Sequence, residues 1–246
     1  MRKMNQIVIE VLYPEYNNLY GDRGNLSYLK RKLQDAGAAI EWVYTHLEDT
    51  PAFVQRSVDL LYIGPCTERQ QEEEIRRLMP YREALAARMQ SEQLTLATGN
   101  AMELFEEYIL RADKSRVEGL GLIPLHAERF SRLRYNELCV GIFEDLRVVG
   151  FKNQLSHSYG ENTHPFLHMQ TGTGIHPQTD AEGWQIGGFF GTYLIGPLLP
   201  LNPPLAGQLM RRLLPTYIDH PLPFEQEAYE KRLAELADPS VNHSKH

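Results

Sequence analysis

The stretch covering residues 94–105 constrains the fold most strongly. An apolar run ending at Ala97 meets the small polar residues Thr98, Gly99 and Asn100, and apolar residues then resume at helical spacing. This pattern predicts a strand, a sharp elbow and a helix, an arrangement that lifts one side chain off the carboxyl end of a sheet in α/β enzymes. We place the tip of the elbow at Ala97. The elbow is typical of a nucleophile site, but alanine has no atom that can attack a substrate, accept a proton or bind a metal.

Apolar strands and helical segments alternate before and into the elbow. Strands are predicted over residues 6–12, 38–44, 58–63 and 94–97. This alternation indicates crossover connections and a parallel sheet, whose ligand sites lie outside the carboxyl ends of the strands. The ends at residues 17–25, 64–66 and 97–100 carry polar residues or glycine. We expect these three ends to meet at one edge of the sheet.

A helix is predicted after the third strand. Thr67 and Gln70 have the spacing of a capping box, and Pro80 should break or kink the helix. The acidic run at residues 72–74 precedes two arginines at positions 76 and 77, so these residues form pairs on one helix face. We expect this face to be solvated.

The second half of the chain has a different pattern. Short strands are predicted over residues 138–143, 148–153, 167–171 and 184–190, and they indicate an antiparallel extension. Helices are predicted over residues 203–214 and 224–237. We assign residues 1–239 to one domain and residues 240–246 to a disordered tail.

Charge and cysteine content restrict the class of partner. The 246 residues carry a formal net charge of -7, which disfavours binding to nucleic acid or to an anionic membrane. Cys66 and Cys139 form no metal-binding spacing, as expected in a reducing compartment. Because no apolar run is long enough to span a bilayer, we predict a cytoplasmic protein with no membrane insertion.

Five motifs occur in an order that identifies a family. They cover residues 18–25, 94–105, 118–122, 148–153 and 191–197. Together they resemble the class I glutamine amidotransferases of the cobyric acid synthase type, and within them most closely the glutaminase subunits of lipid II isoglutaminyl synthase. The resemblance covers nearly the whole chain. It implies a three-layer, flavodoxin-like α/β domain with a parallel sheet core and an antiparallel C-terminal extension.

The resemblance also implies a reaction and a partner. Proteins of this type hydrolyse glutamine and pass ammonia to a Mur-ligase-like protein, which amidates the D-glutamate of the peptidoglycan stem. A heterodimer with a Mur-ligase-like protein is therefore implied, with glutamine or a related small molecule as ligand. We expect no cofactor.

The residues that the family uses for hydrolysis are replaced here. The resemblance puts the nucleophilic cysteine at Ala97 and the catalytic histidine at Ile195. The turn that supplies oxyanion N–H donors aligns with residues 64–66, where Pro65 has no N–H. Loss of either nucleophile or base removes most of the rate, on the order of 10⁶-fold in a serine protease. We predict a pseudo-glutaminase that keeps the fold for binding.

The region that the resemblance aligns with the family's glutamine site gives the predicted ligand-binding residues. An arginine that holds the glutamine carboxylate in the family aligns near Leu133, between two arginines. Thr98 could act as a nucleophile in principle, but capping of the following helix is the preferred interpretation. The predicted ligand-binding residues are Gly64, Pro65, Thr98, Gly99, Asn100, Arg132 and Arg134.

Three alternatives stay open. Cys66 could be a relocated nucleophile activated by the helix that begins at Thr67, with a histidine as base. Several histidines could instead bind a metal, although we expect no metal site because their spacing matches no known motif. The old glutamine site could also be an apolar sensor pocket for another small ligand. The histidines concerned are His157, His164, His168 and His176.

Overall fold

The computed structural model of the chain describes residues 6–130, 134–219, 222–238 and 244–245. Residues 244 and 245 are described by their backbone alone. In chain order its strands are β1 (Gln6–Leu12), β2 (Ala39–Thr45), β3 (Leu60–Ile63), β4 (Leu94–Thr98), β5 (Glu106–Leu110), β6 (Arg116–Glu118), β7 (Ile123–Arg129), β8 (Tyr135–Phe143), β9 (Leu146–Gln154), β10 (Ser156–Gly160), β11 (Leu167–Thr171), β12 (Ala181–Glu182), β13 (Trp184–Ile186), β14 (Phe189–Thr192) and β15 (Ser244–Lys245). The α-helices are α1 (Gly24–Asp35), α2 (Ala52–Gln55), α3 (Glu68–Leu78), α4 (Arg82–Met89), α5 (Leu198–Leu201), α6 (Pro203–Leu213) and α7 (Pro223–Ala237).

The main sheet contains all four strands predicted in the first half of the chain. Its order is β13-β14-β4-β3-β1-β2. Strands β2, β1, β3, β4 and β14 pair in parallel, and β13 pairs antiparallel at the edge. The predicted parallel core is therefore confirmed. Its inner strands β1, β3, β4 and β14 carry mostly buried residues, as expected for a sheet covered on both faces, while the edge strand β2 is only partly buried.

Helices cover both faces of this sheet. On one face, α1 packs Leu29 and Leu33 against Ile9 and its neighbours in the strands, together with residues of α5 and α6. On the other face, Ile75 of α3 and Leu85 of α4 pack against the opposite side of the sheet. The two apolar clusters give the predicted three-layer α/β architecture.

The antiparallel extension is present, but the structure contains further strands that were not predicted (β5, β6, β7, β10 and β12), and it divides one strand that was. Strands β12, β11, β8 and β9 pair antiparallel, and β10, β7, β5 and β6 form a separate mixed sheet. The single strand predicted over residues 184–190 divides at Gly187, whose φ of +53° breaks extended backbone. Its second part, β14, pairs with β4 and so belongs to the main sheet.

The helix predicted after the third strand has the expected start and end. Thr67 and Gln70 form both bonds of the capping box at the N-terminus of α3. The helix ends at Leu78, and a 3₁₀ turn that contains Pro80 separates it from α4. Both features of the prediction are confirmed.

The helix predicted after the elbow is absent. A 3₁₀ segment, Gly99–Phe105, follows β4, and β5 begins at the next residue. Nearly every side chain of the segment is buried, so its apolar residues do not form the one-sided stripe of a surface helix. Its short length also leaves little room for an α-helix between two strands.

Two remaining features concern the chain end and the membrane. Ser244–Lys245 pairs antiparallel with β8 within the tail predicted to be disordered; the other tail residues lie outside the described part. Of the helices in the described ranges, each lacks the length or the apolar character needed to cross a bilayer.

Candidate active site

The three strand ends predicted to meet do lie together. The backbone N–H of Leu19, after β1, donates to the carbonyl of Pro65, after β3, at 3.2 Å. From the same first loop, Asp22 accepts a 2.7 Å hydrogen bond from the hydroxyl of Thr98 at the end of β4. Tyr62 also donates to Asp22. The first loop therefore joins the ends of both central strands.

Thr98 connects the end of β4 to the first loop through its side chain and does not cap a helix. Its side chain is fully buried, makes no capping hydrogen bond and faces Asp22. Burial raises the pKa of the Asp22 carboxyl to about 6, and its hydrogen bonds to Tyr62, Thr98 and Asn25 oppose that shift. The predicted capping role of Thr98 is wrong because its hydroxyl is already used by this carboxyl.

The tip of the elbow is Gly99, and its prediction at Ala97 is wrong. Ala97 lies inside β4, paired in register with Ile63 and Gly191, and its side chain is buried in the core. Gly99 has a φ of +59°, in the left-handed region, where the chain turns out of the strand. A nucleophile elbow presents its nucleophile at a sharp turn that directly follows a strand, as this one does.

A side chain at Gly99 would point at Pro65 and Ile195, the two other positions where the resemblance implies a replaced residue. A Cβ atom added there would lie 2.7 Å from Cβ of Pro65 and 3.3 Å from Cγ2 of Ile195. Ile195 is fixed opposite by two backbone hydrogen bonds to Phe151, at 3.0 and 3.3 Å. A nucleophile and base must lie within hydrogen-bond reach of each other. Gly99 and Ile195 have that relation, but no group that can react.

A small cavity lies over this contact. Its volume is about 20 Å³. That space holds one water molecule and not an amino acid. Of the predicted ligand-binding residues, Gly64 and Thr98 do not line it, and Arg132 lies outside the described residues. Its lining includes Pro65, Cys66, Gly99, Asn100, Arg134 and Ile195.

The turn after β3 offers little to an oxyanion. Pro65 has no N–H, and the N–H of Cys66 already donates to Oδ1 of Asn100 at 3.1 Å. The Asn100 amide in turn donates to the Cys66 carbonyl at 2.9 Å. A Cβ added to Gly64 would lie 2.9 Å from Asp22, so this residue packs against the first loop. The side chain of Asn100 therefore occupies the backbone N–H of Cys66, which an oxyanion site in this turn would need as a donor.

Cys66 is a poor candidate for a relocated nucleophile. Its side chain is 2% exposed, and burial and the neighbouring Glu74 carboxyl raise the pKa of the thiol well above its usual range. The thiolate is the reactive form, so this cysteine stays inert at neutral pH.

The four histidines do not lie together in the part of the chain that the structure describes. Within the described ranges, none of them hydrogen bonds to Cys66 or lines the cavity. His157 packs edge-on between Phe130 and Tyr135, and burial lowers its pKa to about 4. No group of three or more His, Cys, Asp or Glu residues in the described part of the chain is arranged to hold a metal ion. The others contact Trp184 (His164), Asp180 (His168) and Tyr159 (His176).

The acidic run of α3 is only partly a solvated face. Glu74 is fully buried, and burial raises its pKa to about 8. Glu72 binds Arg111 at 2.7 Å and Arg129 at 2.6 Å, and these arginines hold its pKa at about 2. The expectation of a solvated face is wrong for these two residues, because the run faces β7 and the loop before α3 as well as solvent.

A buried carboxyl beside the cavity was missed by sequence reasoning. Glu103 accepts hydrogen bonds from Gln71 at 2.8 Å, from Tyr193 at 2.9 Å and from Ser156. Burial raises its pKa. The available signal was a lone glutamate inside an otherwise apolar run, which marks a buried charge needing partners.

The exposed rim of the cavity carries a positioned guanidinium. Nη1 of Arg134 donates to the Tyr20 hydroxyl at 2.8 Å and to Oδ1 of Asn153 at 2.9 Å. Tyr20 donates to the same Asn153 oxygen at 2.8 Å. Its backbone has a φ of +60°, a conformation that is uncommon for a tyrosine. Of these residues, sequence reasoning found only Arg134.

The fold and the elbow define a class of protein. Residues 8–203 match the CobB/CobQ-like glutamine amidotransferase domain, so the chain belongs to that family. The family that the motifs resemble is thereby confirmed.

Individual relatives are similar over most of their length. The chain is 25% identical over 239 residues to the lipid II isoglutaminyl synthase (glutamine-hydrolyzing) subunit GatD of Streptococcus pneumoniae, covering 94% of this chain and 90% of that one. It is 22% identical over 212 residues to the subunit of the same name from Staphylococcus aureus, covering 85% of each. A solved glutamine amidotransferase from Thermotoga maritima matches with a TM-score of 0.51 and 10% identity, over 94% of this chain and 92% of that one; this is a likeness of fold.

Proposed function

We propose that this chain is a degenerate glutaminase-type subunit that binds a partner and does not hydrolyse glutamine. The observation that carries the proposal is the contact of Gly99 with Pro65 and Ile195 at the elbow. The place of the nucleophile has no side chain, and the group facing it cannot accept a proton. Since nucleophile and base act as a unit, their joint loss leaves no route to a covalent intermediate.

The cavity supports the same proposal. A volume of about 20 Å³ excludes glutamine, and the turn after β3 has no spare N–H on Pro65 or Cys66 for an oxyanion. The proposed loss of reactive groups therefore goes with a space too narrow for the substrate. A small-ligand sensor would need this space to open.

We further propose that the partner is a Mur-ligase-like protein and that the complex is a cytoplasmic heterodimer acting in peptidoglycan amidation. The support is similarity to two GatD subunits of lipid II isoglutaminyl synthase over 94% and 85% of this chain. The chain would then stabilise or regulate the ligase, which would take ammonia from solution.

The experiment compares nitrogen donors. The complex with the candidate Mur-ligase-like protein is supplied with lipid II, ATP and either glutamine or ammonium chloride, and amidated product is measured by mass spectrometry. We expect product with ammonium and none with glutamine above the donor-free control. Equal use of glutamine would contradict loss of hydrolysis, and failure to form a complex would contradict the proposed partner.

A further inference from the structure

We propose that Arg134, Tyr20 and Asn153 form a docking point for a carboxylate of the partner protein. We call these three residues the rim clamp. The inference rests on the proposed function, since it names the chemistry by which the partner is recognised. It does not concern a small molecule inside the cavity, which is too small for one.

The guanidinium of the rim clamp is positioned but not neutralised. Both bonds of its Nη1 go to uncharged groups, and in the described part of the chain Nε and Nη2 have no acceptor. Glu68 also lines the cavity but forms no ion pair with Arg134 among the described residues. Arg134 is exposed on a protein whose net charge is -7. A fixed cation with no ion-pair partner among the described residues is complementary to an anion from outside.

The clamp is held from beneath. Asn153 donates to Asn136 at 2.6 Å, and Asn136 donates to the backbone carbonyl of Arg134 at 3.2 Å. Tyr20 keeps its left-handed backbone while its hydroxyl bonds to both other members of the clamp. This arrangement reduces the entropy lost when a carboxylate binds the free edge of the guanidinium in a bidentate manner.

The small volume of the cavity decides the source of the carboxylate. Below the clamp there is room for one water molecule, so the body of the bound molecule must lie outside the protein. An Asp or Glu side chain or a C-terminus on a protein surface meets this requirement and gains further contacts around the rim. We therefore assign the clamp to an acidic group of the partner.

The test has two arms that use Arg134→Gln and a control, Arg31→Gln. Arg31 is exposed on α1, 3.9 Å from Asp35, and lies outside the clamp. In the first arm, sodium acetate is titrated against sodium chloride at equal ionic strength while the amide resonances of Tyr20 and Asn153 are followed by NMR. We expect saturable shifts with acetate for wild type and Arg31→Gln but not for Arg134→Gln. Absence of acetate-specific shifts in wild type would overturn the site.

In the second arm, the dissociation constant for the candidate Mur-ligase-like protein is measured for the same three proteins. We expect Arg134→Gln to weaken binding at least tenfold and Arg31→Gln to leave it unchanged. Equal binding by all three proteins would overturn the docking role, while the proposed function would stand. If acetate nevertheless gave saturable shifts in the first arm, the rim clamp would be assigned to a free carboxylate. No binding by wild type would overturn both proposals.

Discussion

A Cβ atom on Gly99 would lie 3.3 Å from Cγ2 of Ile195. These positions therefore face each other as a nucleophile and its base would, and the third close neighbour, Pro65, fills the space that a side chain at position 99 would need. Gly99, Pro65 and Ile195 therefore form one contact. This relation makes the proposed loss of hydrolysis testable, together with its repair.

Hydrolysis should be recoverable only at the elbow tip. We expect the triple variant Pro65→Gly, Gly99→Cys, Ile195→His to release glutamate from glutamine slowly, because it restores a thiol and a base, and because removal of the Pro65 ring from the cavity lining widens the space for glutamine. The matched control places the cysteine at Ala97 with the same two other changes. It should stay inactive, since Ala97 is buried inside β4. Equal activity of the two variants in a coupled glutamate assay would contradict our assignment of the tip.

Gly99 should tolerate alanine less well than Gly21. Both residues have left-handed backbone, with φ of +59° and +71°, but a Cβ on Gly21 meets nothing within 4 Å. Gly21→Ala should lower the free energy of unfolding by about 1–2 kcal/mol from backbone strain. Gly99→Ala should cost about 1–3 kcal/mol more because of the contact with Pro65. Urea unfolding measures both, and equal costs would contradict the close packing at the elbow.

Glu74 should make the protein less stable at alkaline pH. Its folded pKa is raised from 4.5 to about 8, so the stability it contributes is fully present below pH 4.5 and is lost as the pH rises through about 8. Glu74→Gln should therefore reduce the fall in the free energy of unfolding between pH 6 and pH 9 by at least about 1 kcal/mol. The measurement is urea unfolding at both pH values.

The control for this prediction is the neighbouring Glu73→Gln. The arginines beside Glu73 lower its pKa, so it does not titrate between pH 6 and pH 9. This variant should lose stability with pH as wild type does. A Glu74→Gln protein with the wild-type pH dependence would show that Glu74 is already ionised in the folded state.

Cys66 should be unreactive in the folded protein. Its thiol is 2% exposed, and burial beside Glu74 raises its pKa. At pH 7 we expect labelling with a thiol reagent such as iodoacetamide to be far slower than that of free cysteine, and labelling of Cys66 and Cys139 alike after unfolding in urea. Rapid labelling of Cys66 in the folded protein, located by peptide mass spectrometry, would restore it as a candidate nucleophile.

The strands and their meeting point follow from the sequence because both depend on local patterns. Runs of buried apolar residues give β1, β3 and β4, and polar residues or glycine after each run mark the carboxyl edge of the sheet. The capping-box spacing of Thr67 and Gln70 likewise predicts the start of α3. The family assignment follows from motif order and does not require the position of any one side chain.

The exact tip of the elbow depends on a backbone angle that apolar patterning does not encode. Ala97 and Thr98 continue the extended strand, and only the φ of Gly99 shows where the chain turns. The sequence pattern likewise does not show that Glu74 and Glu103 are buried. Acidic residues predict a solvated face unless tertiary packing encloses them, and their neighbours in this fold come from distant segments.

The measurement that tests the central claim most directly is glutamate release from glutamine by the purified wild-type protein. The absence of a reactive group at Gly99 and Ile195 predicts that glutamate is released no faster than by the spontaneous hydrolysis of glutamine in buffer. Release above that rate, removed by Cys66→Ala, would contradict the account and place the chemistry at the cysteine beside Glu74. Release that survives Cys66→Ala would equally contradict it and require a site elsewhere in the chain.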